Sequence, residues 1–362
     1  MRGGDVYAIS MKRLRLFTSA GVLALGCAVC LPPPCTALYL PCKSEDSLTE
    51  TAAEILLSGR RVDARDLLPL ARQRGFDGVA LHAHDGLDDA SLSLWLKGLA
   101  DRADGPLVCG EAVAEQRRVV VVAERLGQLN EAHGTVRGRL AAGFRRPELI
   151  VESRDGQTER FAVTTEALAD GVSIKGELLP FAKVQLLAEG PHGPRPVAEL
   201  MAVSEVGAER SSPVEGQEAA DGSEGPRRGP RARPLEALVA RVDGTRREEG
   251  AKPLRGNQLL HGSAQRHARR VCELGRVAHQ LGEGDDPETR LREEHIEARS
   301  VGEAVARAAS VDAALAAMFR SPSHRLAVTD KRFTDVGIGQ AFDAKGHSCV
   351  VVLLAAWPRR TP

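Results

Sequence analysis

Apolar positions recur at spacings of three and four in the first third of the chain. They do so across Ser47–Ala71, where Gly75 and Gly78 end the pattern, and again across Ala90–Leu99, which is typical of amphipathic helices. Val119–Val122 is an unbroken β-branched run, which indicates a strand buried on both faces. Residues 47–130 are therefore predicted to form a mixed helical and strand domain.

Residues 131–205 carry the shorter alternation of β-strands. Arg160–Thr164 alternates polar and apolar side chains, and Asp155–Gly156 is a strong hairpin signal. The cluster Pro191–Pro196 predicts another turn. Short strands at this spacing indicate a small β-sandwich. We find no catalytic motif in it, and we interpret it as a spacer or docking module.

Residues 206–234 are rich in Gly and Pro and nearly lack large apolar side chains. Acidic residues come first, from Glu209 to Glu224, and basic residues follow, from Arg227 to Arg233. This composition predicts a disordered linker. An interaction tail is the alternative that the charge separation leaves open.

In the C-terminal region, residues 235–358, helical periodicity comes first and strand patterns follow. The first predicted helix is opened by Pro234 and ended by Gly250, and the others are Leu259 to Leu274 and Gly302 to Met318. The predicted strands are Val336 to Phe342 and Ser348 to Ala356, joined by the turn Asp343 to Gly346. Helices packed on an antiparallel sheet would bury both patterns.

The N-terminus resembles an export signal. Basic residues between Lys12 and Arg15 precede Leu16–Leu31, which is uncharged and shorter than the ~20 residues of a membrane span. Residues 1–31 are predicted to be a signal peptide, with a transmembrane anchor as the alternative. Leu23–Cys27 is similar to a lipobox, so lipidation at Cys27 is a second alternative. Residues 32–46 are interpreted as a tether.

Seven cysteines are compatible with an exported protein but are too few for a disulfide scaffold. Four of them lie between Cys27 and Cys42. Cys272 and Cys349 are candidates for one disulfide in the last domain, and two buried thiols are the alternative.

The charge balance argues against a nucleic-acid partner. Lys plus Arg and Asp plus Glu are 49 each, and no basic patch is interleaved with aromatic residues. Membrane association is expected only through the leader or a lipid anchor. The chain has no Gly-x-Ser-x-Gly motif, so a covalent serine nucleophile is not expected.

The C-terminal region resembles the CAP superfamily, the cysteine-rich secretory and pathogenesis-related domain, in its bacterial secreted form. The resemblance is carried by Asp243 and Arg246, His279, Gly302-Glu303-Ala304-Val305, Ser321-Pro322-Ser323-His324-Arg325 and Gly337-Ile338-Gly339. It implies a CAP-type α-β-α sandwich at residues 235–358. The whole chain is therefore predicted to be α+β, with the sandwich preceded by the β-sandwich and the mixed N-terminal region.

The resemblance also implies a cleft in which His279, Glu303 and His324 converge. Two imidazoles and a carboxylate suit Zn²⁺ or another divalent cation. Asp312 is a candidate for the second carboxylate of the family. Each residue has a structural alternative: His279 caps the preceding helix, Glu303 sits at a helix N-terminus, and His324 pins its turn.

Other candidate ligands and several departures limit this interpretation. His82-Ala83-His84-Asp85 resembles a ligand set, but we interpret it as a polar surface turn, and His261, His267, His295 and His347 as surface or structural residues. Asp243, Ala304 and Ser323 replace the Asn, Asn and Gly usual in the family. The segment Glu283–Arg299 is highly charged and lacks the usual aromatic residues. We therefore expect the cleft of the family to be incomplete in this chain.

The function that follows is an exported binding module. It would act on an envelope component, a lipid or a protein, at the cell envelope or outside the cell. The alternative is a metal-dependent hydrolase that uses His279, Glu303 and His324, with Zn²⁺ supplying the activated water. The sequence does not decide whether the protein is an enzyme, and it favours binding over catalysis.

Overall fold

The computed structural model describes residues 42–59, 64–114, 116–174, 181–201 and 234–358. The predicted leader, the lipobox at Cys27, most of the tether and nearly all of the linker lie outside the described residues. None of the described helices combines the length and the apolar content that a bilayer span requires.

The first domain packs helices on a four-stranded sheet in the order β1-β3-β4-β2. Its elements are β1 (Lys43–Ser44), α1 (Asp46–Ser58), α2 (Ala64–Arg72), β2 (His82–Asp85), α3 (Asp89–Ala100), β3 (Leu107–Ala114) and β4 (Arg117–Glu124). Val119–Val122 is fully buried in β4, as the β-branched run predicts. Cys42 is disulfide-bonded to Cys109 of β3. Folded structure therefore begins inside the segment that we interpreted as tether, because a covalent bond to a distant strand holds it.

The prediction of a surface turn at residues 82–85 is wrong. His82–Asp85 forms the edge strand β2, paired antiparallel with β4. Asp85 accepts hydrogen bonds from Arg117 on that neighbouring strand, and the His84 ring lies 5.4 Å from the Trp95 ring. The polar sequence of β2 does not predict a strand, and β2 forms because its backbone pairs with the valines of β4.

The second domain consists of two sheets around one apolar core. Its elements are β5 (Gly127–Ala132), β6 (Thr135–Leu140), β7 (Arg145–Ser153), β8 (Thr158–Ala162), α4 (Thr165–Asp170), β9 (Val172–Ser173), β10 (Phe181–Gly190) and β11 (Gly193–Met201). The sheet orders are β5-β6-β9 and β11-β10-β7-β8. Gly156 has φ 88° in the turn between β7 and β8, where glycine avoids the strain of a left-handed conformation.

The C-terminal domain is an α-β-α sandwich. Its elements are α5 (Leu235–Glu248), β12 (Arg255–Gly256), α6 (Gln258–Leu274), α7 (Pro287–Glu293), β13 (Ser300–Ala308), α8 (Val311–Arg320), α9 (Pro322–Thr329), β14 (Asp335–Phe342) and β15 (Ser348–Ala356). The sheet order is β12-β14-β15-β13, and every residue of β15 is buried. Residues of α6 and α7 pack on one face of the sheet, while α5, α8 and α9 cover the other. The predicted α+β class is confirmed.

The prediction of one helix from Gly302 to Met318 is wrong. Residues 300–308 form β13, which pairs antiparallel with the whole length of β15. The helix α8 begins only at Val311, after Ser310 accepts the N-capping hydrogen bond from Ala313 N at 3.2 Å. The small apolar residues fit the helical and the strand period equally well. They form a strand because the buried edge of β15 needs backbone hydrogen-bond partners.

Close packing joins α6 to the sheet. Cys272 of α6 is disulfide-bonded to Cys349 of β15, so the disulfide alternative is the one the structure adopts. A Cβ atom at Gly337 would lie 2.1 Å from Leu260 C, and one at Gly339 would lie 2.2 Å from Ala264 C. These two glycines let the helix backbone rest directly on β14.

Candidate functional site

His279 lies in the segment after α6 and is held by a buried carboxylate. The helix ends at Gly275, which has φ 62° and donates to Cys272 O. The His279 ring does not cap this helix as proposed above, because its Nδ1 lies 2.8 Å from Glu303 Oε1. With Nδ1–H donating to the carboxylate, Nε2 is the ring atom left for a ligand.

Glu303 lies in the middle of β13, so its proposed place at a helix N-terminus is wrong. Its side chain is 1% exposed. Its second oxygen, Oε2, accepts from Arg290 of α7. Burial alone would raise the pKa of Glu303, but the hydrogen bond from His279 and the charge of Arg290 outweigh burial and lower this pKa. Glu303 is therefore an ionised anchor for His279.

His267 on α6 completes the buried side of this cluster. Its Nε2 donates to Ala278 O at 2.9 Å and lies 3.9 Å from Glu303 Oε1. Burial lowers the pKa of His267. The neutral ring holds the backbone beside His279, which agrees with the structural role predicted for it.

His324 lies in α9 and lines the same cavity as His279. Burial and the neighbouring charge of His279 lower the pKa of His324 to about 4. Its imidazole is therefore neutral near pH 7, the form that can accept a hydrogen bond or bind a metal ion. The structure thus brings the two predicted histidines to one cavity and places Glu303 behind one of them.

The cavity, which we call the interdomain cavity, has a volume of about 410 Å³ and is lined by all three domains. The C-terminal domain contributes His279, His324, Val305 and Met318, among others. The first domain contributes residues of α2, and the second contributes residues of β10 and β11. The two preceding domains thus cover the cleft that the sequence predicted.

A hydrogen-bonded contact joins the second domain to the rim of the cleft. Gln185 of β10 is 2% exposed and donates to Glu199 Oε2 at 2.7 Å and to Ser321 Oγ at 3.3 Å. Its amide oxygen accepts from Ser323 N at 3.1 Å. Lys183 Nζ donates to Arg320 O at 3.1 Å. Both the carbonyl and the amide of Gln185 are therefore used, which fixes β10 against the end of α8.

The turn between β10 and β11 contacts the opposite rim. Gln280 N donates to His192 O at 3.1 Å. A Cβ atom at Gly193, which has φ 89°, would lie 3.2 Å from the Cβ of His279. The turn predicted at Pro191–Pro196 therefore packs directly against His279. A third contact, from Arg325 to Glu152 Oε1 at 2.7 Å, strengthens the docking.

The donor set fits a metal ion only in part. The neutral imidazole of His324 and the oriented imidazole of His279 suit Zn²⁺, but both carboxylate oxygens of Glu303 already accept hydrogen bonds. Asp312 lies in the first turn of α8 and does not line the cavity. Within the described ranges, no three His, Cys, Asp or Glu side chains are grouped closely enough to hold a metal. Zinc binding by His279, Glu303 and His324 stays a prediction.

The other residues of the resemblance have structural contacts. Asp243 accepts from Leu254 N at 2.9 Å. Arg246 is 1% exposed and donates to the backbone carbonyls of Lys252, Val328, Asp330 and Phe333. It joins α5 to the segment that precedes β14.

Sequence reasoning missed Arg290, Gln185 and Glu199. Arg290 stands in a segment whose many charges look alike, and only its caps, Asp286 and Pro287, mark a helix there. Gln185 and Glu199 lie on strands with no catalytic motif. No local pattern distinguishes them, because their partners are more than a hundred residues away or on another strand.

The C-terminal domain matches a known family. The family model for CAP, the cysteine-rich secretory protein family, matches residues 239–354. A search of curated proteins finds no match.

Solved structures that the chain resembles include three surface or extracellular proteins. An outer surface protein from Borrelia burgdorferi is 20% identical, with 34% of this chain and 92% of that chain covered and a TM-score of 0.32. An extracellular protein containing an SCP domain from Bacillus anthracis is 13% identical, with 70% and 82% covered and a TM-score of 0.30. A cysteine-rich secretory protein from Staphylococcus aureus is 11% identical, with 64% and 81% covered and a TM-score of 0.28.

Proposed function

Because residues 239–354 form a CAP domain of the cysteine-rich secretory protein family, we propose that this chain is an exported binding module. Its ligand, an envelope component or another extracellular molecule, would occupy the interdomain cavity. The export signal predicted at residues 1–31 and the two disulfides support an oxidising location.

The observation that carries this proposal is the shared wall of the cavity. A volume of about 410 Å³ lies within the range of small-molecule sites. The wall combines apolar side chains with a few oriented polar groups, among them the His279 ring fixed by Glu303. A ligand here would contact the CAP domain and the second domain together, so its affinity would depend on the docking of both.

A cavity-filling variant tests the proposal. Ala317 is exposed on α8 and lines the cavity, so Ala317→Trp would insert an indole there with little effect on the core. Ala240, exposed on α5 and absent from the cavity lining, provides the matched control Ala240→Trp. The full chain would be incubated with a detergent extract of cell envelopes and washed, and the retained molecules would be identified by mass spectrometry.

We expect a retained molecule that is recovered from the wild type and from Ala240→Trp but is lost from Ala317→Trp. Equal recovery from all three proteins would place binding elsewhere and refute the proposal. Turnover of an extract component by the wild type, without retention, would favour the alternative function.

The alternative is a metal-dependent hydrolase. The hydrogen bond from His279 Nδ1 to Glu303, which leaves Nε2 available, supports it, as does the lowered pKa of His324. A divalent ion held by these two imidazoles would supply Lewis-acid chemistry. Zinc titration by calorimetry tests this function: we expect one site in the wild type that is abolished by His324→Ala, and an unchanged isotherm would exclude it.

A further inference from the structure

The outer face of the hairpin formed by β5 and β6 carries four planar polar side chains. Alternate residues of both strands are buried against the core of the second domain. Gln128, Asn130, Arg137 and Arg139 are exposed. Gln128 lies directly opposite Arg139, and Asn130 lies directly opposite Arg137. Each of these cross-strand pairs therefore presents one amide and one guanidinium to solvent.

These four side chains have few partners within the chain. Gln128, Asn130 and Arg139 make no side-chain hydrogen bond or ion pair with any described residue. Arg137 makes one hydrogen bond, from its Nε to Asp170 O at 3.1 Å. Most of their donor and acceptor groups are therefore available to another molecule, and a guanidinium binds a carboxylate with particular strength because its donors match both oxygens.

Two adjoining cavities extend this face into a groove, which we call the hairpin groove. One cavity, of about 270 Å³, lies beside Arg137, and the other, of about 680 Å³, extends to Lys43 of β1. Gln128, Asn130 and Arg139 line both cavities. The groove therefore follows the two strands of the hairpin and continues onto the first domain.

The hairpin groove has an excess of positive charge. Its described lining contains two carboxylates, Glu45 and Asp77, and both pair with Arg125. The three remaining cations, one on β1 and two on β6, are exposed and make no ion pair with a described residue. Arg125 and its two carboxylates together leave one negative charge, so the groove presents a net charge of about two positive units to a partner.

The spacing of the two guanidiniums favours an extended peptide as that partner. Arg137 and Arg139 are two positions apart on one strand, so their Cα atoms are separated by about 7 Å. Side chains on alternate residues of an extended peptide have the same separation. The described lining contains no aromatic side chain, so neither a nucleobase nor a sugar ring would find a surface on which to stack.

We propose that the hairpin groove binds an extended acidic peptide segment of a partner protein. Carboxylates on alternate residues of the segment would pair with Arg137 and Arg139, and Gln128 and Asn130 would form hydrogen bonds to its backbone. The groove shares no lining residue with the interdomain cavity. The inference therefore goes beyond the proposed function and does not depend on it.

Three peptides of about eight residues, each roughly 27 Å long when extended, test this inference. The first alternates Glu and Ser, the second has the same composition but repeats Glu-Glu-Ser-Ser, and the third alternates Gln and Ser. Each carries a neutral fluorophore, and binding to the full chain at neutral pH is measured by fluorescence anisotropy. Successive side chains of an extended peptide point to opposite faces, so the second peptide directs half of its carboxylates away from the groove.

We expect the alternating Glu peptide to bind at least ~3-fold more tightly than its isomer and at least ~10-fold more tightly than the Gln peptide. Arg139→Gln changes an exposed side chain, so it preserves the fold, and it should weaken binding of the alternating Glu peptide by roughly 3- to 5-fold. Arg139→Glu should weaken it by more than ~10-fold, because it brings like charges together.

Arg269→Gln is the matched control. Arg269 is exposed on α6, lies outside the hairpin groove and makes no ion pair with a described residue. This variant should bind the alternating Glu peptide as tightly as the wild type does.

Equal affinity for the two Glu peptides, or binding that neither Arg139 variant weakens, would overturn the inference. Tighter binding of polygalacturonate than of the alternating Glu peptide would overturn it too, because the groove would then be a site for an acidic glycan. The absence of binding by every peptide would also overturn it. None of these results affects the proposed function, which the envelope-extract experiment with Ala317→Trp tests separately.

Discussion

Replacing Gly337 with alanine should destabilise the CAP domain strongly. The new Cβ atom would lie 2.1 Å from Leu260 C and 2.2 Å from His261 N. Carbon atoms make favourable contacts only at about 3.5 Å and beyond, so the backbone of α6 would have to retreat by about 1.4 Å. The atoms in the way are backbone atoms, which cannot rotate aside as a flexible side chain could.

The magnitude follows from what holds α6 in place. The disulfide from Cys272 to Cys349 prevents the C-terminal end of α6 from moving away. His261 Nδ1 lies 2.6 Å from Ile338 O, and Gln265 exchanges two hydrogen bonds with the backbone of Gln340, at 2.6 and 3.1 Å. Loss or distortion of three hydrogen bonds at about 1 kcal/mol each, with overpacking of similar size, predicts a loss of about 3 kcal/mol or more.

Scanning fluorimetry of the disulfide-intact protein measures this loss. At roughly 2 °C per kcal/mol for a large folded unit, Gly337→Ala should lower the Tm by about 6 °C or more. Gly244→Ala is the matched control, because Gly244 lies inside α5 and a Cβ there meets no atom within 4 Å. That change should raise stability by about 0.5–1 kcal/mol through helix propensity. A Tm for Gly337→Ala within about 1 °C of the wild type, on the scale of about 2 °C per kcal/mol, would refute the reasoning.

Two further predictions concern the buried charge and the first disulfide. Glu303→Gln should cost about 3 kcal/mol at neutral pH, because it leaves a buried guanidinium without its carboxylate. The hydrogen bond from His279 lowers the pKa of Glu303. The difference in unfolding free energy between the wild type and Glu303→Gln, measured by urea unfolding, should therefore have its full size above pH 4.5 and shrink as the pH falls below it. A constant difference down to about pH 3 would contradict this sign. Replacing both Cys42 and Cys109 with serine removes a cross-link between residues 67 positions apart and should lower the unfolding free energy by about 4 kcal/mol, whereas equal urea midpoints for variant and wild type would contradict it.

Local patterns predicted much of the secondary structure correctly. The strand β4 follows from its unbroken run of β-branched valines. The turn at Gly156 and the hairpin that joins β14 to β15 follow from turn residues that tolerate positive φ. The pattern was wrong at residues 300–308, where small residues fit a helix and a strand equally. Residues 300–308 form a strand because they pair with the edge of β15, and a distant strand edge leaves no mark in the local hydrophobic pattern.

The candidate site divides in the same way. Its two histidines were identified from the sequence, because they stand in ordered motifs that resemble those of the CAP family. Glu303 was identified too, but its role was not, since its partners His279 and Arg290 come from separate segments. The cover over the cleft depends on Gln185 meeting Ser321 and Ser323, residues about 136 positions away that no local motif connects to it.

The sequence by itself indicated several strands of the second domain, several helices and strands of the third, the family of the last domain and the residues of its candidate site. These depend on periodicity and composition over short windows, which backbone geometry converts directly into local structure. The tertiary structure alone decided which cysteines pair, which oxygen of Glu303 faces which partner, and that two further domains enclose the cleft. Such choices are made by packing between distant segments, where many weak contacts must be satisfied together before any one of them is stable.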